Sequence, residues 1–552
     1  MQIGYPMRLM HINKRKLKWI QQLCLILFTC VIGNSCIGPD NGSGNLPNVL
    51  FILSDDIGYG DLGCYGGLLP TPNLDRLAAE GMRFTDAHSP AALCAPSRFG
   101  MLTGSYPYRS DSPGGAWNIS SPSIFTDSRG YTNDGRLITV GETLQKAGYR
   151  TAFFGKSHLG GEIQDSLGNV IRKQKDISDM DFSRGVRNSI NEAGFDYCYF
   201  LPSGIQHEPF AFFENGAFAP FDPDKPADNR STRLWLNGRY PFTNGTSEIV
   251  EHAKKPGIGD VDYNSSQTGI MMLNKALQFI DDHQKLNRKN RVNKPFLLYY
   301  ASEAIHVPHT PPVDFDGDPG VLDEPVEGIT GGVTGDMVYE LDMQAGKLLR
   351  KLEEEGLSEN TIVFFTSDNG ALWPEICDFG NPDHDNNGPF RGYKASIYEG
   401  GHRVPFIVKW PGQVQPGSVS DQLVLAQDWV ATMHEIAGIP MEEDQAMDCT
   451  SLLPLLEGRQ PAGEPLHPFV LYQEGYAYKG AIREGSLVLV VDRDNEATEL
   501  YDLSTDLAQE HNLIDEATWS AEIDRLKQKF LRYNDHDNDT FEPRTTRAYR
   551  NE

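Results

Sequence analysis

The chain has 552 residues, 39% of them apolar and 10% aromatic, enough for a large buried core, and this excludes a disordered polypeptide. Its 49 lysines and arginines against 76 aspartates and glutamates leave a net charge of −27, a field that repels phosphate backbones. No nucleic-acid partner is expected, and an anionic substrate has to be received in a locally positive cleft or by a bound cation.

In chain order, the first element is an address. Arg8, Lys14, Arg15, Lys16 and Lys18 precede an uncharged, mostly apolar run from Leu23 to Gly33, short for a bilayer span and suited to a secretory signal. The run ends in Gly33-Asn34-Ser35-Cys36, which loosely resembles a lipoprotein cleavage site; plain signal cleavage is the alternative. Residues 1–35 are therefore read as a signal and 36–46 as a Gly-, Pro- and Asn-rich linker. The expected location is the periplasm, or the outer membrane of a Gram-negative bacterium with Cys36 as a lipid anchor. Five of the eight cysteines lie beyond the leader; if one of them has a chemical role, the other four allow at most two disulfides.

The run 48–53 is continuously apolar and stops at Ser54-Asp55-Asp56, which predicts a strand covered on both faces. Similar runs recur at 295–300, 361–366 and 404–408, and helical patterns fill 73–80, 140–147, 269–283, 336–355 and 427–437. This alternation predicts an α/β fold with a large, mostly parallel central sheet and helices on both faces, over a main domain at 47–458. Within it, 160–256 is rich in Asn, Gly, Pro and aromatics and is read as an insertion region walling a site. After it, 480–491 reads as a hairpin, 498–503 as a further strand and 521–533 as a helix, making a smaller antiparallel subdomain at 459–552.

Two of the strand ends look alike: Leu53-Ser54-Asp55-Asp56 and Thr366-Ser367-Asp368-Asn369. Ligands of open α/β sheets sit beyond the carboxyl ends of strands, so these four polar side chains can converge. Three carboxylates and one amide suit Ca2+, with Mg2+ as the alternative, better than zinc. Taken singly, each Asp is more often a helix cap than a ligand.

Cys94-Ala95-Pro96-Ser97-Arg98, followed by Met101-Leu102-Thr103-Gly104 and Arg109, resembles the signature of type I sulfatases in the alkaline-phosphatase-like superfamily. Further blocks match in order: Gly155-Lys156-Ser157-His158, His306-Val307-Pro308, Arg391-Gly392-Tyr393-Lys394 with Glu399-Gly400-Gly401-His402-Arg403, and Glu499-Leu500-Tyr501-Asp502-Leu503. The resemblance is weakest over 160–256, where only Gly194-Phe195-Asp196-Tyr197 matches. It implies that a formylglycine-generating enzyme converts Cys94 to formylglycine (3-oxoalanine). It implies further that the hydrate, on one metal ion held by Asp55, Asp56, Asp368, Asn369 and residue 94 itself, attacks sulfur. Arg98 would hold the hydrate, Lys156 and Lys394 the sulfate, while His306 protonates the leaving alcohol and His158 takes the proton that expels sulfate. The physical need is plain, because a sulfate ester is an anion that resists nucleophiles until cations and donors surround it.

Between Ser166 and Ile190 five basic residues face three acidic ones, read as a solvated face in preference to a polyanion subsite. His207, with Phe210 and Trp235, is a candidate substrate contact through stacking on sugar rings. The expected substrate is a sulfated oligo- or polysaccharide: ulvan, carrageenan or fucoidan fragments, with glycosaminoglycans open. The competing readings are a phosphomonoester or phosphonate hydrolase of the same superfamily, and a glycan-binding relative in which Cys94 stays unmodified.

Overall fold

The opening apolar run forms strand Asn48–Ser54, buried at every residue, at the centre of a ten-stranded mixed sheet. In this computed structural model the described residues are 46–109, 138–221, 232–235, 256–260, 262–315, 324–441, 445–446, 448–476 and 479–533. The signal, Cys36 and nearly all of the linker lie outside them. Among the described residues no helix is long and apolar enough to cross a membrane.

Asn48–Ser54 pairs in parallel with Phe296–Ala301 on one side and Thr361–Ser367 on the other. Arg150–Lys156 and Tyr197–Leu201 continue the parallel core. Antiparallel strands extend both sides: Phe406–Lys409 and then Met82–Phe84 at one, Phe212–Glu214 and Ala217–Ala219 at the other. The apolar run at 404–408 is thus an antiparallel neighbour of the core. The stretch 160–256, read as insertions, supplies three strands of the same sheet.

Helices cover both faces, as the alternation predicts. Pro72–Glu80, Thr268–Asn290 and Val333–Glu354 pack together on one face through Leu74, Leu273, Leu341 and Leu348. On the other lie Cys94–Thr103, Val140–Lys146 and Asp428–Ala437, where the buried Trp429 stacks on Phe51 with ring centroids 4.1 Å apart. Val140–Lys146 begins at a full capping box between Thr139 and Glu142, which fixes its start. Thr268–Asn290 runs past the predicted end at 283, because its last turns carry exposed polar residues with no apolar face to read.

A second, four-stranded antiparallel sheet, Val470–Gln473, Lys479–Glu484, Leu487–Asp492 and Ala497–Asp502, is covered by helix Ser520–Tyr533 through Leu526 and Phe530. It belongs to the same compact unit as the main sheet, Pro47–Glu552. A buried ionic cluster joins the two. Arg483 donates to both carboxylate oxygens of Asp86 at 2.8 and 2.6 Å, and Arg403 reaches Glu399 at 2.7 Å and Asp86 at 3.2 Å. Burial pushes the Asp86 carboxyl upward, but Arg403, His88 and Arg483 outweigh it and hold the group ionised. Arg483→Ala is therefore expected to destabilise the protein by about 3 kcal/mol, since one partner of a buried pair is lost while Arg403 and His88 remain. A shift of the urea unfolding midpoint measures this; an unchanged midpoint would show the pair to be dispensable.

Candidate active site

The register of the central strands builds the site. Ser54 lies opposite Ser367, so the next residues, Asp55 and Asp56 on one strand and Asp368 and Asn369 on the other, leave the sheet side by side. The Asp56 amide donates to Asp368 Oδ1 at 3.2 Å, and Asn369 Nδ2 donates to Asp56 Oδ1 at 2.8 Å. All four side chains are fully buried. Asp56 has φ of 66°, a left-handed conformation uncommon outside glycine but one that Asp adopts more readily than most residues.

Cys94 opens the wholly buried helix Cys94–Thr103, and no side chain caps it. Its position directs the positive end of the helix dipole at the acidic cluster. Ser97 folds the preceding loop back, donating to the Ala91 carbonyl at 2.6 Å and accepting from the Ala91 amide at 3.1 Å. Cys94 forms a ligand-competent group with Asp55 and Asp368, and His306 forms another with Asp55 and Asp56, each with its ligand atoms within 4.8 Å of one another.

Lys156 ends strand Arg150–Lys156, where Gly155 is required: its φ is +105°, and a Cβ there would lie 1.8 Å from the Ala301 carbonyl. Lys156 Nζ donates to Asp55 Oδ2 at 2.6 Å and Lys394 Nζ to Asp56 Oδ1 at 2.5 Å. Arg98 donates from Nε to Asp368 Oδ2 at 2.8 Å and from Nη1 to the Lys156 carbonyl at 2.8 Å, while its buried Nη2, 2.7 Å from Asp368 Oδ2 as an ion pair, makes no hydrogen bond. Its guanidinium braces a carboxylate and the end of a neighbouring strand, and leaves Nη2 without a hydrogen-bond partner in the site.

His158 Nδ1 lies 3.4 Å from Cys94 Sγ, and its backbone, at φ of 53°, is pinned by the bond from its amide to the Pro202 carbonyl at 2.9 Å. His306 donates from Nδ1 to the Val307 carbonyl at 2.8 Å, which leaves Nε2 as the acceptor, 3.7 Å from Asp56 Oδ2. Burial first, then Lys156 beside His158 and Lys394 beside His306, push both imidazoles well below the usual histidine range. His207 is close enough to lower both further, its ring centroid 6.5 Å from that of His158. Burial also raises the Cys94 thiol against the pull of Lys156 and Lys394, so as an unmodified cysteine it is a protonated, poor nucleophile.

The donor set fits the divalent ion that the sequence implies. Asp55 Oδ1, Asp56 Oδ2 and Asn369 Oδ1 are buried with no hydrogen-bond partner, and burial together with Asp55 raises the Asp368 carboxyl despite Arg98. Orphaned hard oxygens around a carboxylate too close to another call for a cation.

Every candidate catalytic and metal-ligating residue read from the sequence, Cys94, Arg98, Lys156, His158, His306, Lys394, Asp55, Asp56, Asp368 and Asn369, is thus brought to one end of the central sheet, with His207 beside them. Arg109 is not among them: it pairs with Asp448 away from the cluster. Of the surface cations, Arg172 pairs with Glu162 at 2.7 Å and Arg184 with Asp181 at 3.4 Å, in keeping with a solvated face. The five cysteines of the described residues are free thiols. Gln206, which sequence reasoning missed, also belongs here: an amide carbonyl left without a partner beside Lys156, with no motif to mark it.

A buried carboxylate cluster suited to a cation, a buried cysteine, two ammonium groups and two imidazoles at the strand ends of such a sheet suit the hydrolysis of an anionic ester. The chain belongs to the sulfatase family, whose model matches residues 47–439; a model described as N-sulphoglucosamine sulphohydrolase, C-terminal, matches 390–536. It is a sulfuric ester hydrolase. An N-acetylgalactosamine-6-O-sulfatase of Bacteroides thetaiotaomicron is 30% identical, over 87% of this chain and 92% of that protein. Human steryl-sulfatase is 29% identical over 80% of this chain and 75% of its own length. A solved structure described for the metabolism of multiple glycosaminoglycans by Bacteroides thetaiotaomicron superposes with a TM-score of 0.69 at 26% identity, covering 89% of this chain and all of that one.

Proposed function

We propose that the enzyme removes sulfate from a sulfated carbohydrate, with 6-O-sulfated N-acetylgalactosamine of glycosaminoglycan fragments as its substrate, through formylglycine at position 94 and one Ca2+. The observation that carries the chemistry is the juxtaposition of Cys94 Sγ, His158 Nδ1 and the orphaned oxygens of Asp55, Asp56 and Asn369. The likeness to the bacterial N-acetylgalactosamine-6-O-sulfatase over nearly the full length of both chains supports the substrate. Export and lipid anchoring through Cys36 complete the proposal, as a polymer-degrading enzyme must meet its substrate outside the cytoplasm.

When in place, formylglycine supplies a hydrated aldehyde as nucleophile, and the ion held by Asp55, Asp56, Asp368 and Asn369 supplies positive charge for acidifying it and for polarising the sulfate. The residues of the chain do the rest. Lys156 and Lys394 are placed to bind sulfate oxygens and stabilise charge developing on them. His306 Nε2 is placed to deliver a proton to the leaving sugar oxygen once the bound sulfate anion favours its protonated form, and His158 Nδ1 takes a proton at side chain 94. Arg98 positions Asp368 and the end of the Lys156 strand.

Released sulfate from a defined panel tests the reading: N-acetylgalactosamine 6-sulfate, carrageenan, fucoidan and ulvan oligosaccharides, and a steryl sulfate. Turnover of the 6-sulfated hexosamine at a kcat/KM at least about tenfold above the others is expected. Release confined to an algal oligosaccharide or to the sterol would overturn the substrate, and release from none would overturn the activity.

A further inference from the structure

The loop after strand Tyr197–Leu201 brings a group into the site that the catalytic chemistry leaves unused. Gly204 has φ of +87°, open to glycine and strained for other residues, and a Cβ built on it would lie 2.8 Å from Gln206 Oε1 and 3.0 Å from Lys156 Cδ. The missing side chain at 204 thus leaves room for the Gln206 amide and the stem of the sulfate-binding lysine on either side of the same position. Gln206 Oε1 is buried and accepts no hydrogen bond. An unpaired buried carbonyl forfeits the hydrogen bonds it makes to water in the unfolded chain, so a residue kept in this state points to a donor that arrives with the ligand.

The loop is held rigidly enough to present such a group. Glu208 Oε1 accepts from the Ile258 amide at 2.8 Å, and the Phe210 amide donates to the Ile258 carbonyl at 2.9 Å. Ser157 Oγ and the Ser157 amide bond to the Pro202 and Leu201 carbonyls, tying the loop's start to the Lys156 strand. The neighbouring His207 lies near both catalytic imidazoles, its ring centroid 6.5 Å from that of His158.

We infer that Gln206 is a specificity-determining residue: its side-chain carbonyl accepts a hydrogen bond from a hydroxyl of the sugar ring that carries the sulfate. The inference deepens the proposed carbohydrate activity and rests on it. Gln206 touches no reacting atom, so its contribution falls on substrates that bring the donor and spares those that lack it. An aryl sulfate has no ring hydroxyl to offer.

The experiment compares kcat/KM of the unaltered protein and of Gln206→Leu on N-acetylgalactosamine 6-sulfate, on its 3-deoxy and 4-deoxy analogues, and on 4-nitrophenyl sulfate. Gln206→Leu is expected to lose about 10–100-fold on the sugar sulfate and less than about threefold on the aryl sulfate. With the unaltered protein one deoxy analogue should show the same loss, and Gln206→Leu should turn over that analogue no worse than the unaltered protein does, because both changes remove one hydrogen bond. Equal losses on sugar and aryl sulfate overturn the inference in favour of a packing role. So does additive loss with both deoxy analogues, an arm in which the unaltered chain serves as its own folded control. Absence of sulfate release by the unaltered protein from the sugar and the aryl sulfate alike overturns the broader sulfatase chemistry and this contact with it.

Discussion

Cys94→Ala is expected to reduce sulfate release by at least about 10⁴-fold, the scale on which removal of a nucleophile is felt, while changing stability by no more than about 1 kcal/mol. The side chain lost is small and sits at the first position of a helix whose other nine residues are also buried. Strand pairing, the Ser97 bonds to Ala91 and the Arg98 brace are untouched by it. A circular dichroism melt and a sulfate-release assay on the same preparation make the comparison; substantial turnover by the variant would exclude residue 94 as the nucleophile.

Asp368→Ala should behave differently, and the contrast is informative. Asp368 holds the Arg98 guanidinium through two contacts of 2.8 and 2.7 Å and stands in the ligand group with Asp55 and Cys94. Its removal leaves a buried cation with the Lys156 carbonyl and, at 3.6 Å, Asp55 as remaining partners. Breaking a buried pair from one side costs about 3–5 kcal/mol, so this variant loses stability as well as activity. The ion gives a second readout. A ligand at about 100 times its dissociation constant stabilises the folded state by about 2.7 kcal/mol, so added Ca2+ should raise the Tm of the metal-stripped unaltered protein and do so far less for Asp368→Ala. An equal rise in both would place the ion elsewhere.

Much of this site is legible in the sequence because its chemistry sits at the ends of strongly apolar runs. Leu53-Ser54-Asp55-Asp56 and Thr366-Ser367-Asp368-Asn369 announce both the end of a strand and a pair of candidate ligands, and parallel pairing in register brings them together. Lys156 ends one buried strand and His306 follows another. What stays hidden depends on contacts between distant segments. The pairing of Asp86 with Arg483 spans 397 positions, and neither residue carries a pattern that points to the other. Strand Tyr197–Leu201 is masked by the Gly-, Asn- and Pro-rich segments around it, although its core is as apolar as its neighbours. Gln206 becomes visible only once Gly204 is seen to leave room for it near Lys156. The absence of disulfides among the described cysteines was equally beyond sequence, since an odd set of five permits bridges without requiring them.

The mass of the peptide containing residue 94, taken from a preparation that releases sulfate, tests most directly whether this side chain is the modified nucleophile. A peptide about 18 Da lighter than its cysteine form is expected, the change for replacing a thiol by an aldehyde. Full activity in protein whose residue 94 is wholly an unmodified thiol would contradict it.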